Sequence, residues 1–415
     1  MRLTPDPGGP VPLDRLGGID LLDLDLYTDG DPHSVWDALR VLAPLHHQTT
    51  GDGREFWSVT RYDDCCAVLG DHQRFTSERG TVITHVGEDD IAAGQLMTST
   101  DPPRHTEVRR AINGQLTARA LAGSHGRIRR AIVEFLGPAL DGATFDIAEA
   151  AQILPMVVAG PILGIPEQDW DQLVRLSAMV TAPTDPHFRC GGRAATLAIA
   201  HHEIIEYVSD WVRRRRAVDV ADGSLLDTLL AARPGGRSLT DHEIAYDGYS
   251  IVLGANVTTP HTVSGTVAAL IERPDQLRRV RADPHLVPAL VEEALRWTSA
   301  ACNFMRYAVD DVELTGGTVP AGGAVVAWIG AGNRDPARFT DPHTFDVERH
   351  PNRHIAFGFG PHYCIGAPLA RLTLRIFFEE LTSRFDSLEL RGAPTHLRSY
   401  FIAGLTHLPI AAGKE

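Results

Sequence analysis

The feature that most restricts the fold of this chain is a long helical pattern in its middle. From about residue 102 to residue 297, apolar residues recur at spacings of three and four, the period of an amphipathic helix. Glycine and proline interrupt this pattern at 160–161, 164–166, 233–236 and 273–274. The sequence therefore predicts a mainly α-helical region made of several helices.

Shorter segments on either side of this region have β character. Two apolar runs within residues 45–62 flank Gly51-Asp52-Gly53, a pattern typical of a β-hairpin. A second β-like zone covers about 307–328 and contains two glycine-rich turns. We expect these segments to form the small β part of the fold.

No linker, repeat or low-complexity block divides the chain. We therefore expect a single domain over residues 1–415, mainly α with a small β part. The remaining zones are a loop-rich lead-in at 1–30, loops over 332–366, a last helix ending near Phe385 and a β-like tail at 399–411.

The composition excludes several classes of protein. The chain has 415 residues, 43% of them hydrophobic, which is ample for a large core without disulfides or a structural metal. Its 39 basic and 53 acidic side chains give a formal net charge of -14, so binding to nucleic acid or to an anionic membrane is not expected. The chain has no run of ~18 apolar residues and no apolar signal segment at its N-terminus, so we expect a cytoplasmic protein without a membrane span.

One of the five cysteines lies in a glycine-rich segment just before a predicted helix. The count is odd and no C-x-x-C pair occurs, which argues against a disulfide framework or a cysteine-rich zinc site. Cys364 lies within Phe357-Gly-Phe-Gly-Pro-His-Tyr-Cys-Ile-Gly366, and Pro368 is tolerated in the first helical turn that follows. Free N–H groups at a helix start favour a thiolate, which could be a nucleophile, a redox thiol or a metal ligand.

The same segment resembles the haem-binding signature of the cytochrome P450 monooxygenases, F-x-x-G-x-x-x-C-x-G. Phe357, Gly360, Cys364 and Gly366 match it, and Ala-Pro-Leu-Ala-Arg371 follows. The resemblance implies the single-domain, mainly helical cytochrome P450 fold around a b-type haem, haem b. It also implies that Cys364 is the axial ligand, whose thiolate donates electron density to iron and favours O–O cleavage.

A second family motif is present upstream of the cysteine. Glu293 and Arg296 match E-x-x-R, and their spacing places both side chains on one helix face. In the family an arginine in the loop before the cysteine joins this pair. Phe345-Asp-Val-Glu-Arg349 resembles that segment, so Arg349 is the expected third member.

Four basic residues match the positions that bind the haem propionates. His105 and Arg109 are separated by four residues and project from the same helix face in a segment that resembles the family's C helix. The resemblance adds Arg306 and His362, two residues before the cysteine. Such donors suit carboxylates through charge-assisted hydrogen bonds.

The sequence departs from the family in the helix expected over the oxygen-binding face. Thr240 and Glu243 form a capping box that predicts a long helix to about Glu272. The family signature there is small-Gly-x-acid-Thr, and an ungapped register places Thr258 at the threonine and Val257 at the acid. In the family both groups help protons reach bound O2, and valine cannot carry a proton.

A proline after this threonine suggests a substitute for the missing acid. Pro260 lacks an N–H and crowds the carbonyl group of Asn256. Our hypothesis is that this carbonyl, the Asn256 amide and the Thr258 hydroxyl hold an ordered water as a proton relay. The alternative is that Pro260 only bends the helix and protons come from substrate or bulk water.

The same ungapped register with the family also predicts a substrate pocket and a docking surface for an electron donor. Small residues at several pocket positions favour a bulky, mostly apolar substrate with polar contacts through Asn303 or Thr98. The predicted pocket comprises 82–86, 96–97, 179–180, 252–255, 300–304 and 401–402. The predicted basic surface for an acidic ferredoxin comprises Arg109, Arg110, Arg119, Arg129 and Arg130.

Together these features predict a monomeric monooxygenase that inserts an oxygen atom from O2 into a small organic molecule, as in tailoring of secondary metabolites. Electrons would come from NAD(P)H through a ferredoxin reductase and a ferredoxin. Val257 keeps a peroxide-driven or non-hydroxylating reaction (coupling, cyclisation or desaturation) as an alternative. A haem-binding sensor without turnover is a third, from a different class of protein.

Overall fold

The structure is a computed structural model that describes residues 18–87, 92–141, 144–217 and 223–413. Most of the predicted lead-in, residues 1–17, lies outside the described residues. The rest of it contains one short helix, α1 (Asp25–Thr28). None of the helices in the described ranges combines the length and apolar character needed to cross a bilayer.

The described part of the chain is dominated by α-helices. Most of them lie in the region where the sequence predicts helical structure. After α1 the helices are α2 (Pro32–Leu42), α3 (Tyr62–Gly70), α4 (Arg104–Asn113), α5 (Ala118–Leu121), α6 (His125–Leu136), α7 (Ile147–Ala150), α8 (Leu154–Leu163), α9 (Trp170–Thr181), α10 (Arg193–Arg216), α11 (Leu225–Ala231), α12 (Asp241–Asn256), α13 (Thr259–Glu272), α14 (Pro274–Ala282), α15 (Val287–Thr298), α16 (Ile329–Gly332) and α17 (Ala367–Arg384).

The strands are short, and most of them lie where the sequence predicts β structure; the exceptions are the strands at 75–76, 145–146, 387–390 and 395–396. They are β1 (Leu45–Thr49), β2 (Glu55–Val59), β3 (Phe75–Thr76), β4 (Phe145–Asp146), β5 (Phe304–Ala308), β6 (Val312–Leu314), β7 (Gly317–Val319), β8 (Ala324–Ala327), β9 (Ser387–Leu390), β10 (Thr395–His396), β11 (Leu405–His407) and β12 (Pro409–Gly413).

The largest sheet has five strands in the order β1-β2-β8-β5-β3. The predicted hairpin around residues 51–53 is confirmed: β1 and β2 pair antiparallel, with Leu45 opposite Val59. Strand β8 pairs parallel to β2 and antiparallel to β5. Three smaller sheets have the orders β4-β12-β9, β10-β11 and β6-β7, so the mainly α fold with a small β part is confirmed.

The long helix predicted from residue 240 to residue 272 is in fact two helices. Its start is as predicted, because the Thr240 hydroxyl accepts from the Glu243 N–H and the Glu243 carboxylate accepts from the Thr240 N–H. Helix α12 ends at Asn256 and α13 begins at Thr259. Pro260 has no N–H to donate to the Asn256 carbonyl, which accounts for the break.

The two helices also belong to different apolar cores. Tyr249 and Val252 of α12 pack with helices α8 to α11. Val263 and Val267 of α13 pack with helices α6, α14, α15 and α17. The break therefore lies where two cores meet.

A fully buried carboxylate links α15 to the loops that precede the cysteine segment. Arg296 donates two hydrogen bonds of 2.7 Å to Glu293 from its Nε and Nη2 atoms. Arg349 donates to the same carboxylate through Nε at 3.1 Å, so the predicted three-residue arrangement is present. The Asp346 N–H and the Asn352 side-chain amide donate to Glu293 as well, at 2.9 and 3.0 Å.

The two arginines also organise the surrounding backbone. Arg296 donates to the carbonyl groups of Asn333, Pro342 and Thr344, and Arg349 donates to those of Thr340, Asp341 and Thr344. Because the loop from 332 to 352 has little regular structure, these bonds replace those that a helix or strand would supply.

We expect Glu293→Ala to lower the free energy of unfolding by about 3–5 kcal/mol, because it leaves two buried guanidinium groups without their carboxylate. Urea unfolding measures the change. The matched control is Glu348→Ala, whose carboxylate pairs with Arg279 on the surface at 3.0 Å. That exposed pair is expected to contribute at most about 1 kcal/mol, and equal losses in the two variants would contradict the structural role of Glu293.

Candidate functional site around Cys364

The segment before α17 folds back on itself around the cysteine. The Cys364 N–H donates to the Phe357 carbonyl at 2.8 Å. Gly358 and Gly360 have φ angles of 74° and 73°, a left-handed conformation that glycine adopts without strain. A Cβ atom on Gly360 would lie 2.5 Å from the Cα of Gly70 in α3. Two of the glycines are therefore required by backbone geometry.

The Cys364 side chain is accessible to solvent although protein surrounds it closely. Burial raises the pKa of its thiol, and the N–H groups of Gly366 and Ala367 and the charge of Arg109 only partly oppose this effect. The helix start thus acts in the predicted direction, but it does not by itself produce a thiolate. A thiol that is accessible yet enclosed fits a residue that lines an internal space.

Helix α12 borders the same apolar region as the cysteine segment. Ile365 and Leu369, on either side of the start of α17, pack against the core that Leu253 and Ala255 of α12 also contact. Between the last two, Gly254 is exposed, and a Cβ atom placed on it would meet nothing within 4 Å. Open space is therefore available beside the last turn of α12.

The four basic residues predicted to bind carboxylates lie together beside Cys364. The rings of His105 in α4 and His362 have centroids 4.1 Å apart. Burial is the main cause that lowers the pKa of His105 to about 4, and Arg109 and Arg306 add to it. Burial and the charges of Arg306, His105 and Arg109 lower the pKa of His362 to about 2. Both imidazoles are therefore neutral at pH 7 and act as N–H donors.

This basic group has donors that the protein does not pair with carboxylates. Arg306 on β5 is buried, which lowers its pKa to about 10, and within the described residues its guanidinium group donates one hydrogen bond, to the Met305 carbonyl at 2.7 Å. Arg109 donates to the Tyr363 carbonyl at 2.5 Å, and His362 contacts the Ser77 hydroxyl at 3.2 Å. The Nδ1 atom of His105 is buried and has no hydrogen-bond partner among the described residues.

The nearby carboxylate of Asp101 forms no ion pair with this group among the described residues, although its charge acts on His105 and Arg306. Asp101 accepts hydrogen bonds from the Thr76 hydroxyl at 2.6 Å and the Ser77 N–H at 3.1 Å. An accessible cysteine surrounded by surplus N–H donors and positive charge fits a ligand that carries a metal and carboxylates.

At the helix break, the Asn256 side chain is directed toward α9. Its amide nitrogen donates to the Ser177 hydroxyl at 3.3 Å, and its buried Oδ1 atom finds no partner in the part of the chain that the structure describes. Asn256 and Val257 line a small cleft together with Ala178, Thr181, Phe188 and His261, among others. Thr258 does not line this cleft, so the structure directs the Asn256 amide and Thr258 to different surroundings.

Many of the predicted pocket residues come together from distant segments. Val82, Ala301, Phe304 and Phe401 belong to one apolar cluster with Val257. Met97, Met179, Val252 and neighbouring residues belong to a second one, whereas Val86 packs in the core beside the large sheet. These contacts involve Val82, Val86 and Met97, helices α9 and α12, strand β5 and the C-terminal segment.

The two polar residues expected to contact substrate differ in their surroundings. Asn303 is fully buried and donates to the Tyr400 carbonyl at 2.7 Å, and no described residue donates to its Oδ1 atom. Thr98 is exposed to solvent and contacts the Ser250 hydroxyl at 3.2 Å. Cys302 is also buried, and burial raises the pKa of its thiol to about 12, which suits an inert core residue.

Sequence reasoning assigned no role to Glu292, which anchors the helix after the cysteine. Arg371 of α17 donates to Glu292 at 2.7 and 2.8 Å and to the Tyr363 hydroxyl at 3.0 Å. Burial opposes the charge on Glu292, but Arg371 and His354 hold its pKa at about 2. The guanidinium group of Arg371 also lies 4.6 Å from the centre of the Phe357 ring. The only sequence signal for a role of Glu292 was the position of this residue beside the E-x-x-R motif.

The predicted basic surface is smaller than the five arginines suggested. Arg109 turns inward to the Tyr363 carbonyl, and Arg129 forms ion pairs with Glu379 and Glu380 of α17. Arg110, Arg119 and Arg130 are exposed and form no ion pair within the described chain. Two large side chains of the cysteine segment are exposed nearby, Phe359 at 45% and Tyr363 at 39%.

Comparison with known proteins agrees with the family resemblance found in the sequence. The family model described as "Cytochrome P450" matches residues 167–400. The chain is similar to a putative cytochrome P450 126 of Mycobacterium tuberculosis, with 36% identity over 410 residues, covering 95% of this chain and 97% of that one. It is also similar to the mycinamicin IV hydroxylase/epoxidase of Micromonospora griseorubida, with 34% identity over 396 residues, covering 92% and 98%.

A solved structure shows the same overall arrangement. The crystal structure of P450 OxyD, described as involved in the biosynthesis of vancomycin-type antibiotics, matches with a TM-score of 0.83 and 33% identity. The match covers 96% of this chain and 100% of that one.

Proposed function

Because this chain belongs to the cytochrome P450 family, we propose that it is a haem-thiolate monooxygenase that inserts one oxygen atom from O2 into a small organic molecule. The observation that carries the proposal is the convergence of four basic side chains beside the accessible Cys364 thiol. These residues come from α4, β5 and the segment before α17, so their meeting is specific to the fold.

The proposed cofactor is haem b, with Cys364 as the ligand of its iron. His105, Arg109, Arg306 and His362 would hold the two propionates, and the unpartnered Nδ1 of His105 supports this assignment. When bound, the haem supplies the activation of O2, with electrons that come from NAD(P)H through redox partners. Cys364 would bind the iron as a thiolate, and the N–H groups of Gly366 and Ala367 would stabilise its negative charge.

Proton delivery on the opposite face is assigned to Thr258 and Asn256. The Thr258 hydroxyl forms no side-chain hydrogen bond with the described residues, so it is available to a water molecule. Since the Asn256 amide nitrogen is bound to Ser177, the backbone carbonyl released by Pro260 is the group that we assign to the relay. Val257 contributes no proton donor, so the hydroxyl is the important group.

The proposed substrate is bulky and mostly apolar, as in tailoring of a secondary metabolite. Gly254, Ala255, Ala300 and Ala301 are small, and the space beside Gly254 is open. Two of the compared proteins are named for such chemistry, the mycinamicin IV hydroxylase/epoxidase and the enzyme of vancomycin-type antibiotic biosynthesis.

The proposed electron donor is an acidic ferredoxin, reduced by its own reductase, that docks at the cysteine face. Arg110 of α4 and the nearby Arg119 and Arg130 supply unpaired positive charge, and the exposed Phe359 supplies an apolar contact. A monomeric state and a cytoplasmic location complete the proposal and rest on the family resemblance.

We expect Cys364→Ser to abolish the red-shifted Soret band of the ferrous carbon monoxide complex, because serine does not supply a thiolate. Absorption spectra of the purified protein measure this. The matched control is Cys190→Ser, since Cys190 is an exposed thiol elsewhere in the chain and should leave the band unchanged. A normal thiolate spectrum in Cys364→Ser would overturn the assignment, and loss of the haem itself would support it.

Substrate-dependent turnover tests the proposed function, and Thr258→Ala tests the relay. Compounds that shift the Soret band are selected first and then incubated with NADPH, a ferredoxin and its reductase. We expect a product that carries one oxygen atom from O2, and a several-fold smaller yield of product per NADPH in Thr258→Ala. The control is Thr259→Ala, the adjacent threonine, which should keep the wild-type yield.

Two outcomes of this assay would change the conclusion. Hydrogen peroxide that supports product as well as the redox pair does would favour the peroxide-driven alternative, which the valine at position 257 motivates. Binding of compounds without any NADPH consumption or product would favour a sensor. An unchanged yield in Thr258→Ala would exclude this hydroxyl from the relay.

Charge reversal at Arg110 tests the docking surface. We expect Arg110→Glu to slow reduction by ferredoxin several-fold at low ionic strength, with a smaller difference at high salt, because screening weakens the attraction. Stopped-flow reduction kinetics measure both effects. Arg175→Glu is the matched control, because Arg175 is an exposed arginine on α9. An unchanged rate in Arg110→Glu would contradict the proposed surface.

A further inference from the structure

Two histidines from distant segments meet ring to ring on the surface. His187 lies in the loop between α9 and α10, and His407 ends strand β11. Their Nε2 atoms are 3.0 Å apart and their ring centroids 4.9 Å apart. The two side chains are 45% and 35% exposed, so the point where they meet is accessible from solvent.

The other nitrogen of each ring faces a carboxylate. The Nδ1 atom of His187 lies 3.2 Å from Oδ1 of Asp185, and that of His407 lies 3.0 Å from Oδ2 of Asp146. Glu149 adds a further negative charge at 3.9 Å from the same His407 nitrogen. These acidic groups place three negative charges around two imidazoles.

Both close carboxylates are held in place by backbone groups. Asp185 is buried and accepts from the N–H groups of Arg398 and His187, each at 2.9 Å. Asp146 accepts from the Leu408 N–H at 3.0 Å and caps α7 through two more N–H groups. The rings are thus oriented by fixed acceptors, which is how proteins orient the histidine ligands of metals.

The row from Asp185 to Asp146 contains three close contacts at ring nitrogens, and each of them needs a proton or another cation between the two atoms. If both Nδ1 atoms donate to their carboxylates, the two Nε2 lone pairs face each other at 3.0 Å. A cation between them removes this repulsion. Two imidazole nitrogens on one zinc ion at ~2.0–2.1 Å in tetrahedral geometry are separated by roughly 3.3 Å, which is close to the observed spacing.

We propose that His187 and His407 bind a divalent transition-metal ion such as Zn²⁺ through their Nε2 atoms, with water completing the coordination. Asp185 and Asp146 are the positioning residues that hold the two rings through their Nδ1–H groups. The proposal rests on this geometry alone and is independent of the proposed monooxygenase function.

The bound ion would tie the loop at 182–192 to the C-terminal strands. Phe188, next to His187, lines the cleft that Asn256 and Val257 border. An ion at the histidine pair would therefore restrain a segment that lines this cleft. The expected effect is slower exchange of the backbone amides in this loop.

The test is Zn²⁺ binding to the holoenzyme at pH 7.5, after treatment with a chelator. Competition with a chromophoric chelator should show one equivalent of Zn²⁺ bound, and His187→Ala and His407→Ala should each weaken the affinity at least tenfold. The matched control is His285→Ala, an exposed histidine outside the cluster, which should bind as the wild type does. Zn²⁺ should also raise the melting temperature and lower amide exchange at 182–192 in the wild type and in this control only.

Three results would overturn the proposal. The first is the lack of a saturable equivalent of Zn²⁺, and the second is equal affinity in the wild type and in both histidine variants. The third is weaker Zn²⁺ binding in Glu149→Gln and His407→Ala together with unchanged binding in His187→Ala. That last pattern would place the ion instead at His407 Nδ1, Asp146 and Glu149, whose ligand atoms lie within 4.8 Å of one another.

Discussion

The buried carboxylate of Glu293 is the interaction on which the cysteine site depends. It lies on α15, yet it binds two arginines and two groups of the loop at 346–352, which leads directly into the cysteine segment. A charge buried this deeply is stable only with all its partners in place, so helix and loop hold one another. The adjacent Glu292 fixes α17 through Arg371, and α15 therefore supports both ends of the cysteine segment.

Charge is distributed unequally across the cofactor site. On the cysteine side, burial keeps His105 and His362 neutral, while Arg109 and Arg306 retain positive charges that form no ion pair with a described carboxylate. Such an arrangement is costly until an anionic ligand occupies it, which favours a cofactor that carries carboxylates. The protein thus uses neutral donors and positive charges together to hold the proposed haem.

The opposite side of the site is shaped by a break in a helix. Pro260 removes one hydrogen bond, and the chain divides there into two helices that pack in separate cores. The same break releases a backbone carbonyl beside Thr258, where most family members place an acid. A backbone group and a hydroxyl can therefore hold water at a position where Val257 offers no polar atom.

The sequence by itself determined the features whose cause lies within a few residues: the glycine-rich turn around Cys364, the pairing of Glu293 with Arg296, and the capping box at Thr240. Backbone conformation and spacing along one helix are local properties, so they can be inferred without the fold. Only the tertiary structure decided the direction of Asn256, the pairing of Arg129 with α17 and the meeting of His187 with His407. In each case the partner comes from a distant part of the chain, and packing of the whole molecule sets which groups meet.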